Sequence, residues 1–257
     1  MNEFVKRDPA APPGFFACEA AGLRWLAAAP GGVPCARVAG CDDTSLTLQR
    51  LSPAPPTAGA AVEFGRRLAC THDAGAAGFG AAPDGWTGPG FFGPLHQPMP
   101  MSLVAHDSWG RFYADERLAP MCDRASGSLG AEALSLLDAV IARCRAGDFD
   151  DDDRPSRLHG DLWSGNVVWT AAGVVLIDPA AHGGHRETDL AMLELFGCPH
   201  LDTVYRGYQS VHPLRPDWRD RFALHRLYPL LAHVALFGGG YARQTAAAAR
   251  QALRPVR

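Results

Sequence analysis

The sequence predicts an α+β protein of two lobes, in which a small β-rich lobe precedes a larger, mainly helical one. Three observations support this prediction. β-type runs are concentrated in the first 51 residues, a proline-rich linker occupies residues 52–59, and helical periodicity dominates most of the remaining chain. We therefore expect one lobe at residues 1–52 and a second at residues 53–257. A chain of 257 residues is long enough to bury a sizeable core.

The small lobe begins with a short apolar and basic run that is typical of a strand. Prolines separate this run from a helix whose apolar residues, Phe16, Leu23 and Leu26 among them, fall on one face at helical spacing. Two further β-rich runs come next and are joined by an acidic turn. The predicted elements are a strand at 3–7, a helix at 14–29, strands at 33–40 and 45–51, and a turn at 41–43.

The large lobe is predicted from amphipathic helical patterns that glycine and proline interrupt. Residues 78–100 are rich in these two residues, and we expect them to be irregular. Thr188 is expected to cap the helix after it, because its hydroxyl can accept a backbone N–H. The predicted helices are 61–73, 109–121, one around 134–144 that ends near Gly147, 189–196, and two within 218–249 that are broken at 238–240.

Residues 148–153 form a run of five aspartates interrupted by Phe149. A calcium-binding EF-hand loop that started at Asp148 would need Gly at its sixth position and Glu at its twelfth. Those positions hold Asp153 and His159, so the pattern does not indicate a calcium site. We expect a solvated acidic loop here.

Composition and charge exclude several classes of function. The net charge of −3 offers no basic surface for nucleic acid or an anionic membrane. The seven cysteines are dispersed, which favours reduced thiols over a disulfide framework. The first residues lack the apolar core of a signal peptide, and the most apolar late segment, 227–237, is too short to cross a bilayer. We expect a cytoplasmic protein without nucleic-acid or membrane partners, and the composition indicates no particular oligomeric state.

The clearest chemical signal in the chain reads HGDLWSGN, at residues 159–166. It has the H-x-D-x-x-x-x-N spacing of a kinase catalytic loop. Two β-rich runs come after it, joined by a short turn, and predict a hairpin over residues 167–177. A hairpin returns its two outer ends to one place, so Asn166 and Asp178 should lie side by side.

Amide and carboxylate oxygens held together in this way suit Mg²⁺, which takes its remaining ligands from water and phosphates. Asn166 and Asp178 are therefore the predicted metal ligands. Asp161, which precedes Asn166 in the loop, is then free to accept the proton of an attacking hydroxyl. The pattern predicts a phosphotransferase in which Asp161 is the catalytic base.

Lys6 is the single lysine among the 24 basic residues of the chain. Its ammonium group acts as a point charge at a phosphate site, whereas guanidinium is a wide fork. Glu19 lies on the next predicted helix, and kinases use such a strand lysine and helix glutamate to orient the α- and β-phosphates. We assign both residues to nucleotide binding. In a cleft between the lobes, adenine is expected to meet the backbone of Gln49, Arg50 and Leu51.

Two residues are assigned to supporting the catalytic loop. Asp189, in the first turn of a predicted helix, is placed to bind backbone donors of that loop, and His159 opens the loop. The Gly-rich segment 179–187 is expected to line the catalytic face. Its histidines, His182 and His185, lack further Cys or His at ligand spacing and are weak candidates for a zinc site.

Four segments carry a resemblance to a known family. They read HGDLWSGN, IDPA, GHRETDLAML and LFGGGY, at residues 159–166, 177–180, 184–193 and 236–241. With them the chain resembles the fructosamine (ketosamine) kinases of the aminoglycoside and choline kinase-like superfamily. The resemblance implies a protein-kinase-like fold. It also implies transfer of the ATP γ-phosphate, with Mg²⁺, to the 3-hydroxyl of a ketosamine such as a fructosamine or ribulosamine, and thereby deglycation.

The resemblance implies roles for individual residues as well. Asp161 would be the catalytic base, and Asn166 with Asp178 would hold Mg²⁺. Lys6 and Glu19 would orient the phosphates. An aromatic ring beside the catalytic loop would pack against the sugar part of the substrate. The substrate-contacting residues implied are Trp163, His185, Arg186 and Glu187.

The chain departs from the family pattern at its N-terminus. Family members have two strands and a phosphate-covering loop before the lysine strand, whereas only five residues precede Lys6. We expect an N-terminally truncated small lobe, or a natural start that lies upstream of the given one. A truncated lobe would expose a sheet edge and leave the nucleotide phosphates uncovered.

Three other functions fit parts of the pattern. A kinase of the same architecture could act on an aminoglycoside, choline or another sugar. A non-catalytic nucleotide-binding protein of this fold is favoured only by the missing phosphate loop. A metallophosphoesterase is suggested by the HGD and GN pairs, but such enzymes usually need His after the GN pair, where this chain has Val167.

Overall fold

The computed structural model describes residues 3–254. In this part of the chain the strands are short, and none of the helices is both long and apolar enough to cross a bilayer. The strands are β1 (Glu3–Arg7), β2 (Val38–Cys41), β3 (Ser45–Gln49), β4 (Gly90–Phe92), β5 (Met99–Met101), β6 (Ser156–Leu158), β7 (Val167–Thr170), β8 (Gly173–Leu176) and β9 (His182–Gly184). The helices are α1 (Phe15–Ala27), α2 (Ala58–Asp73), α3 (Trp109–Phe112), α4 (Ala119–Ala125), α5 (Ala131–Ala146), α6 (Glu187–Leu195), α7 (Leu201–Gln209), α8 (Trp218–His225), α9 (Leu227–Phe237) and α10 (Ala242–Ala252).

A three-stranded antiparallel sheet of order β1-β3-β2 forms the small lobe together with α1. Leu46 and Leu48 of β3 alternate with polar residues and share a buried cluster with Phe16 and Leu23 of α1. Lys6 pairs with Leu46 across the two strands. Directly opposed residues share one face of a sheet, so the side chain of Lys6 points toward α1.

The strand predicted at 33–40 is wrong in its first half. β2 begins at Val38, and the chain before it bonds to β8 instead. Leu176 N donates to Pro34 O at 2.8 Å, and Ala36 N donates to Leu176 O at 2.9 Å. Pro34 has no N–H to offer a neighbouring strand, which favours leaving the sheet at this point. The contact connects the small lobe to the hairpin that comes after the HGDLWSGN segment.

Helices α2 and α7 cross at close range because glycines lie at the contact. A Cβ atom on Gly65 would lie 1.9 Å from the carbonyl oxygen of Val204, and one on Gly207 would lie 2.1 Å from that of Val62. Helix α7 has no counterpart among the predicted elements. It is short and contains a glycine, which lowers its intrinsic helix propensity, so its stability comes from packing against α2.

Replacement of Gly65 by Ala is expected to lower the free energy of unfolding by about 3 kcal/mol, because the added methyl overlaps backbone atoms of α7 that cannot move aside. The matched control is Gly59→Ala in the same helix, where nothing lies within 4 Å of the added atom. That change should raise the unfolding free energy by about 0.5–1 kcal/mol. Urea denaturation of both variants measures the difference. Equal effects of the two changes would contradict the crossing geometry.

Most predicted helices of the large lobe are confirmed, with three corrections. The helix predicted at 109–121 ends at Ala125 instead and is divided into α3 and α4 by a π-helical segment, Tyr113–Leu118. The tail holds three helices instead of two. Pro229 falls in the first turn of α9, where its missing N–H costs no hydrogen bond, so a new helix starts at Leu227. Residues 78–100 were expected to be irregular but contain the β4–β5 hairpin.

The acidic run at 148–153 is a loop, as predicted, and Asp148, Asp150 and Asp152 are exposed. The prediction that the whole run is solvated is wrong for Asp151 and Asp153, which are half-buried and paired. Asp150 accepts a hydrogen bond from Gly110 N at 2.6 Å and so caps the start of α3. Asp153 lies 2.7 Å from the guanidinium Nε of Arg186, in the loop before α6. Basic and backbone donors from distant segments thus compensate the run, which the local pattern does not reveal.

Candidate active site

The predicted hairpin after the HGDLWSGN segment is confirmed. β7 and β8 pair antiparallel, and Val167 faces Leu176 at the open end. The next residues continue the contact, since Ile177 N donates to Asn166 O at 3.2 Å. The register therefore places Asn166 next to the residue after Ile177, which is Asp178. The geometric part of the sequence prediction, two oxygen-bearing side chains at the open end of one hairpin, is correct.

The amide of Asn166 links the catalytic loop to the hairpin. Its Nδ2 donates to the backbone oxygen of Asp161 at 2.8 Å and to the carboxylate Oδ2 of Asp161 at 3.1 Å. A weaker contact reaches the backbone oxygen of Asp178 at 3.4 Å. Because the NH₂ group is engaged by Asp161, the amide Oδ1 is left as the available ligand atom.

Asp178 adopts a left-handed backbone conformation, with φ of 54°. Non-glycine residues adopt such values rarely, and they concentrate at functional sites where the surroundings hold them. One carboxylate oxygen of Asp178 lies 3.0 Å from Lys6 Nζ. Asp178 is partly exposed and also lines the cavity described below.

Lys6 and Glu19 form the ion pair that the sequence suggested. Both carboxylate oxygens of Glu19 lie 2.9 Å from Lys6 Nζ, and Glu19 is buried on α1. Burial alone would lower the pKa of Lys6, but the carboxylates of Glu19 and Asp178 outweigh it and raise that pKa above its ordinary value. Lys6 therefore stays charged, with two carboxylates around it.

Asp189 holds the backbone of the HGDLWSGN loop through hydrogen bonds. Its carboxylate accepts hydrogen bonds from His159 N at 2.8 Å and Gly160 N at 3.0 Å. His72 Nε2 lies 3.1 Å from the same carboxylate and its Nδ1 lies 2.8 Å from the hydroxyl of Tyr208. Burial acts to raise the pKa of Asp189, but the hydrogen bond and charge of His72 outweigh it and the pKa is lowered. Asp189 is thus held as an anion that fixes two backbone amides.

His159 fixes the same loop through its ring. Nδ1 accepts the backbone N–H of Asp161 at 3.2 Å, so Nε2 carries the proton and donates to Ile177 O at 2.8 Å. Burial lowers the pKa of His159, which keeps the ring neutral and this tautomer intact. The ring therefore connects the loop to the segment that follows β8 and carries Asp178. Gly160 is required beside it, because φ is 81° and a Cβ would lie 2.1 Å from Ala180 O.

A cavity of about 530 Å³ collects the predicted catalytic groups. The lining consists of aromatic and apolar side chains and of five polar or charged residues that the sequence singled out. These five are Lys6, Glu19, Asp161, Asn166 and Asp178. The pKa of Asp161 is raised to about 7, mainly because the carboxyl group is buried. The hydrogen bond from Asn166 lowers this pKa, and the nearby carboxylate of Asp178 raises it further. A carboxyl group tuned in this way is suited to accept a proton near neutral pH.

Trp163 lies at the mouth of this cavity and is 42% exposed. Its ring meets that of Phe196 edge-on, with centroids 6.3 Å apart. A Cβ on Gly165 would lie 2.2 Å from the indole, so the glycine gives the ring its space. The placement suits the predicted contact with the sugar part of a substrate, which stays a prediction.

The predicted adenine-binding residues lie outside the lining of this cavity. Gln49 N donates to Arg37 O at 2.8 Å, and Arg50 Nε donates to Glu3 O at 3.1 Å. Leu51 packs on the buried cluster of the small lobe. Their role in nucleotide binding stays a prediction.

His185, Arg186 and Glu187 are not brought to the cavity that holds Asp161. All three are buried. Glu187 is paired with Arg221 through both carboxylate oxygens. His185 lines a separate cavity of about 390 Å³. Their predicted contact with substrate gains no support from this placement.

His185 lies near acidic groups that could suggest a metal site, but its tautomer argues against one. Its Nδ1 accepts the backbone N–H of Glu187 at 3.2 Å, so Nε2 carries the proton and donates to Asp151 Oδ2 at 3.3 Å. A metal at Nε2 would need the opposite tautomer.

The capping prediction for Thr188 is wrong, because α6 begins at Glu187. Thr188 is inside the helix, with its hydroxyl 3.0 Å from His225 Nδ1.

Comparison with known proteins places the chain in a family. The family model described as fructosamine kinase matches residues 1–255. The chain belongs to the fructosamine kinase family. A probable ketoamine kinase of Synechocystis sp. is 37% identical over 195 residues, which cover 74% of this chain. The match spans 61% of that relative's length, which is less than two-thirds.

Solved structures agree with the family. The chain is similar to a Thermobifida fusca protein assigned as a fructosamine-3-kinase, with 45% identity, a TM-score of 0.90 and coverage of 98% of this chain and 86% of that one. The macrolide 2′-phosphotransferase of Brachybacterium faecium has 14% identity, a TM-score of 0.57 and coverage of 99% and 86%. This second likeness shows the fold alone. The predicted kinase-like α+β fold is confirmed.

Proposed function

We propose that this fructosamine kinase family member transfers the γ-phosphate of ATP to the 3-hydroxyl of a ketosamine, and so deglycates an amine or a protein. The observation that supports the proposal most strongly is the gathering of Asp161, Asn166, Asp178 and Lys6 in one cavity. The names of the relatives point to the same acceptor class. The proposal requires little covalent chemistry from the protein beyond alignment and charge neutralisation.

The residues at the open end of the hairpin fit Mg²⁺. The available atoms are hard oxygens, one from the Asn166 amide and one from the Asp178 carboxylate, and Mg²⁺ prefers such ligands. We assign Asn166 and Asp178 as the residues that would hold it. When bound, the ion neutralises charge that develops on the phosphates.

Asp161 is the residue that accepts the proton of the acceptor hydroxyl. The oxygen on C3 forms a bond to the γ-phosphorus while the bond from that phosphorus to the β,γ-bridging oxygen breaks, and ADP is the leaving group. The hydroxyl proton moves to the carboxylate of Asp161, which the Asn166 amide keeps oriented at 3.1 Å. Asp189 and His159 hold the loop during this step through its backbone.

Lys6 supplies positive charge next to the same carboxylates. In the nucleotide complex we assign its ammonium to the α- and β-phosphates, with Glu19 fixing the direction of the side chain. We also retain Gln49, Arg50 and Leu51 as the proposed backbone contacts of adenine and Trp163 as the proposed contact of the sugar.

The direct test is ADP formation by the purified chain with Mg·ATP and ribulosyl-lysine or fructosyl-lysine. We expect ADP release that depends on the ketosamine and stops when EDTA removes the metal. Choline and an aminoglycoside serve as matched acceptors without the ketosamine group and should give background rates. Turnover of either of these, with none of a ketosamine, would contradict the proposed acceptor class.

A further inference from the structure

The LFGGGY segment at 236–241 has no role in the chemistry described so far, yet the structure places it at the mouth of the Asp161 cavity. Leu236, Phe237 and Tyr241 all line the cavity. Phe237 is the last residue of α9 and is 62% exposed. A single exposed ring is ordinary, but a contiguous set of apolar side chains at the rim of a cavity marks a binding surface.

The exposed ring belongs to a continuous aromatic wall, which we define as Trp163, Phe196, His233, Phe237 and Tyr241. Trp163 contacts Phe196, and Phe196 contacts His233 with ring centroids 4.8 Å apart. His233 in turn lies 5.4 Å from Phe237 and 4.9 Å from Tyr241, measured between centroids. The wall leads from the catalytic loop outward to solvent.

Acidic side chains outnumber basic ones in the cavity beside this wall. Among the described residues that line the cavity, Lys6 is the single lysine or arginine, and Glu19 and Asp178 already engage it. Within the wall itself, the one side chain that could become a cation is His233. Burial lowers its pKa, so its ring is uncharged near neutral pH. Asp161 and Asp178 remain as acids, and bound Mg·ATP adds further negative charge. No lining cation is left to receive an anionic group of the acceptor.

We propose that the aromatic wall binds the amine-derived part of the acceptor and selects against a carboxylate on it. This inference rests on the proposed ketosamine kinase activity. In a ketosamine the nitrogen is on C1 and the reacting oxygen on C3, so the amine-derived part begins a few ångströms from Asp161 and leaves along the wall. An alkyl or peptide arm packs on aromatic rings there. The α-carboxylate of a free amino acid adduct would face acids and uncharged rings, which offer it no cationic partner.

A matched pair of acceptors isolates this charge. Ribulosyl-glycine and ribulosyl-glycinamide differ by a carboxylate against a neutral amide. We expect kcat/KM for the glycinamide adduct to exceed that for the glycine adduct by about tenfold, mainly through KM, because binding rather than the chemical step is affected.

Phe237→Arg tests the wall itself. The side chain is exposed, so the substitution leaves the core intact, and the guanidinium would give the carboxylate a partner. We expect the preference for the glycinamide adduct to fall from about tenfold to about twofold or less. The matched control is Val104→Arg, which adds the same charge at a 56% exposed apolar residue outside the cavity lining. It should leave the wild-type preference unchanged.

The outcomes separate this inference from the activity on which it rests. Absence of turnover with both adducts would overturn the proposed function and the inference with it. Turnover of both at equal kcat/KM would overturn the inference alone. An unchanged preference in Phe237→Arg, or an equal shift in Val104→Arg, would also overturn it, because the discrimination would then not arise at the aromatic wall.

Discussion

Replacement of Asp161 by Asn is expected to lower kcat by about two to four orders of magnitude. Asn keeps the shape of the side chain but cannot accept the hydroxyl proton, and it removes the negative charge that faces the acceptor. The hydrogen bond from Asn166 Nδ2, at 3.1 Å from the Asp161 carboxylate, can be kept by the amide oxygen of the new residue. The loop should therefore retain its conformation, and the loss should fall on kcat with little change in the KM for ATP.

The control for this prediction is Asp138→Asn, the same substitution on the exposed face of α5. Its kcat should equal that of the wild type. Steady-state kinetics with a ketosamine and Mg·ATP, together with the melting temperature of each variant, make the comparison. A kcat for Asp161→Asn within about threefold of the wild type would exclude the general-base role, since proton transfer contributes at least about a hundredfold in such steps.

Loss of Lys6 is expected to have the second-largest effect. Lys6→Met removes the cation that faces Glu19 and Asp178 and should lower kcat/KM for ATP by about two to three orders of magnitude, the range found when one charge-stabilising donor is removed. Lys6→Arg should restore little of this loss. The guanidinium fork is too wide for a site in which a single ammonium lies within 3.0 Å of two carboxylates.

Arg7→Met provides the control, because Arg7 comes after Lys6 on the same strand and is exposed. This variant should bind and use ATP as the wild type does. The effect of Lys6→Met could also arise from a weakened small lobe, so nucleotide affinity is measured alongside thermal stability. Full activity of Lys6→Met would show that the ion pair with Glu19 is structural only.

The geometry of the β7–β8 hairpin could be predicted from the sequence because the information is local. Spacing alone fixes which residues lie at the open end of a two-stranded hairpin, so Asn166 and Asp178 could be placed together without any knowledge of the rest of the fold. The Lys6–Glu19 pair was predicted by the rarity of lysine and by the order of strand and helix. Both required only short-range patterns.

The hydrogen bonds that hold Asp189 in place could not be predicted in the same way. His72 of α2 reaches the Asp189 carboxylate, and Tyr208 of α7 bonds to the other ring nitrogen of His72. The two helices are far apart in the sequence and meet through the glycines at their crossing. Nothing in the neighbourhood of either residue indicates a polar partner. A histidine on the buried side of a predicted helix was the available signal, and it has many possible partners.

The acidic run and the GHRE segment illustrate another limit, which is long-range charge pairing. Asp153 and Arg186 lie 2.7 Å apart although 33 positions separate them. Taken alone, the acidic run predicts a solvated loop, and the GHRE segment predicts side chains that are free to meet substrate. Sequence patterns describe the charge of each segment but not the segment that compensates it.

The most direct test of the proposed metal site at the hairpin is the affinity of the chain for Mn²⁺, used in place of Mg²⁺, in the presence of a non-hydrolysable ATP analogue. Electron paramagnetic resonance of free Mn²⁺ measures it for the wild type, Asp178→Ala and Asp161→Asn. The account predicts that Asp178→Ala weakens Mn²⁺ binding by about tenfold or more, whereas Asp161→Asn changes it by less than about threefold while abolishing most turnover. Wild-type Mn²⁺ affinity in Asp178→Ala would contradict it.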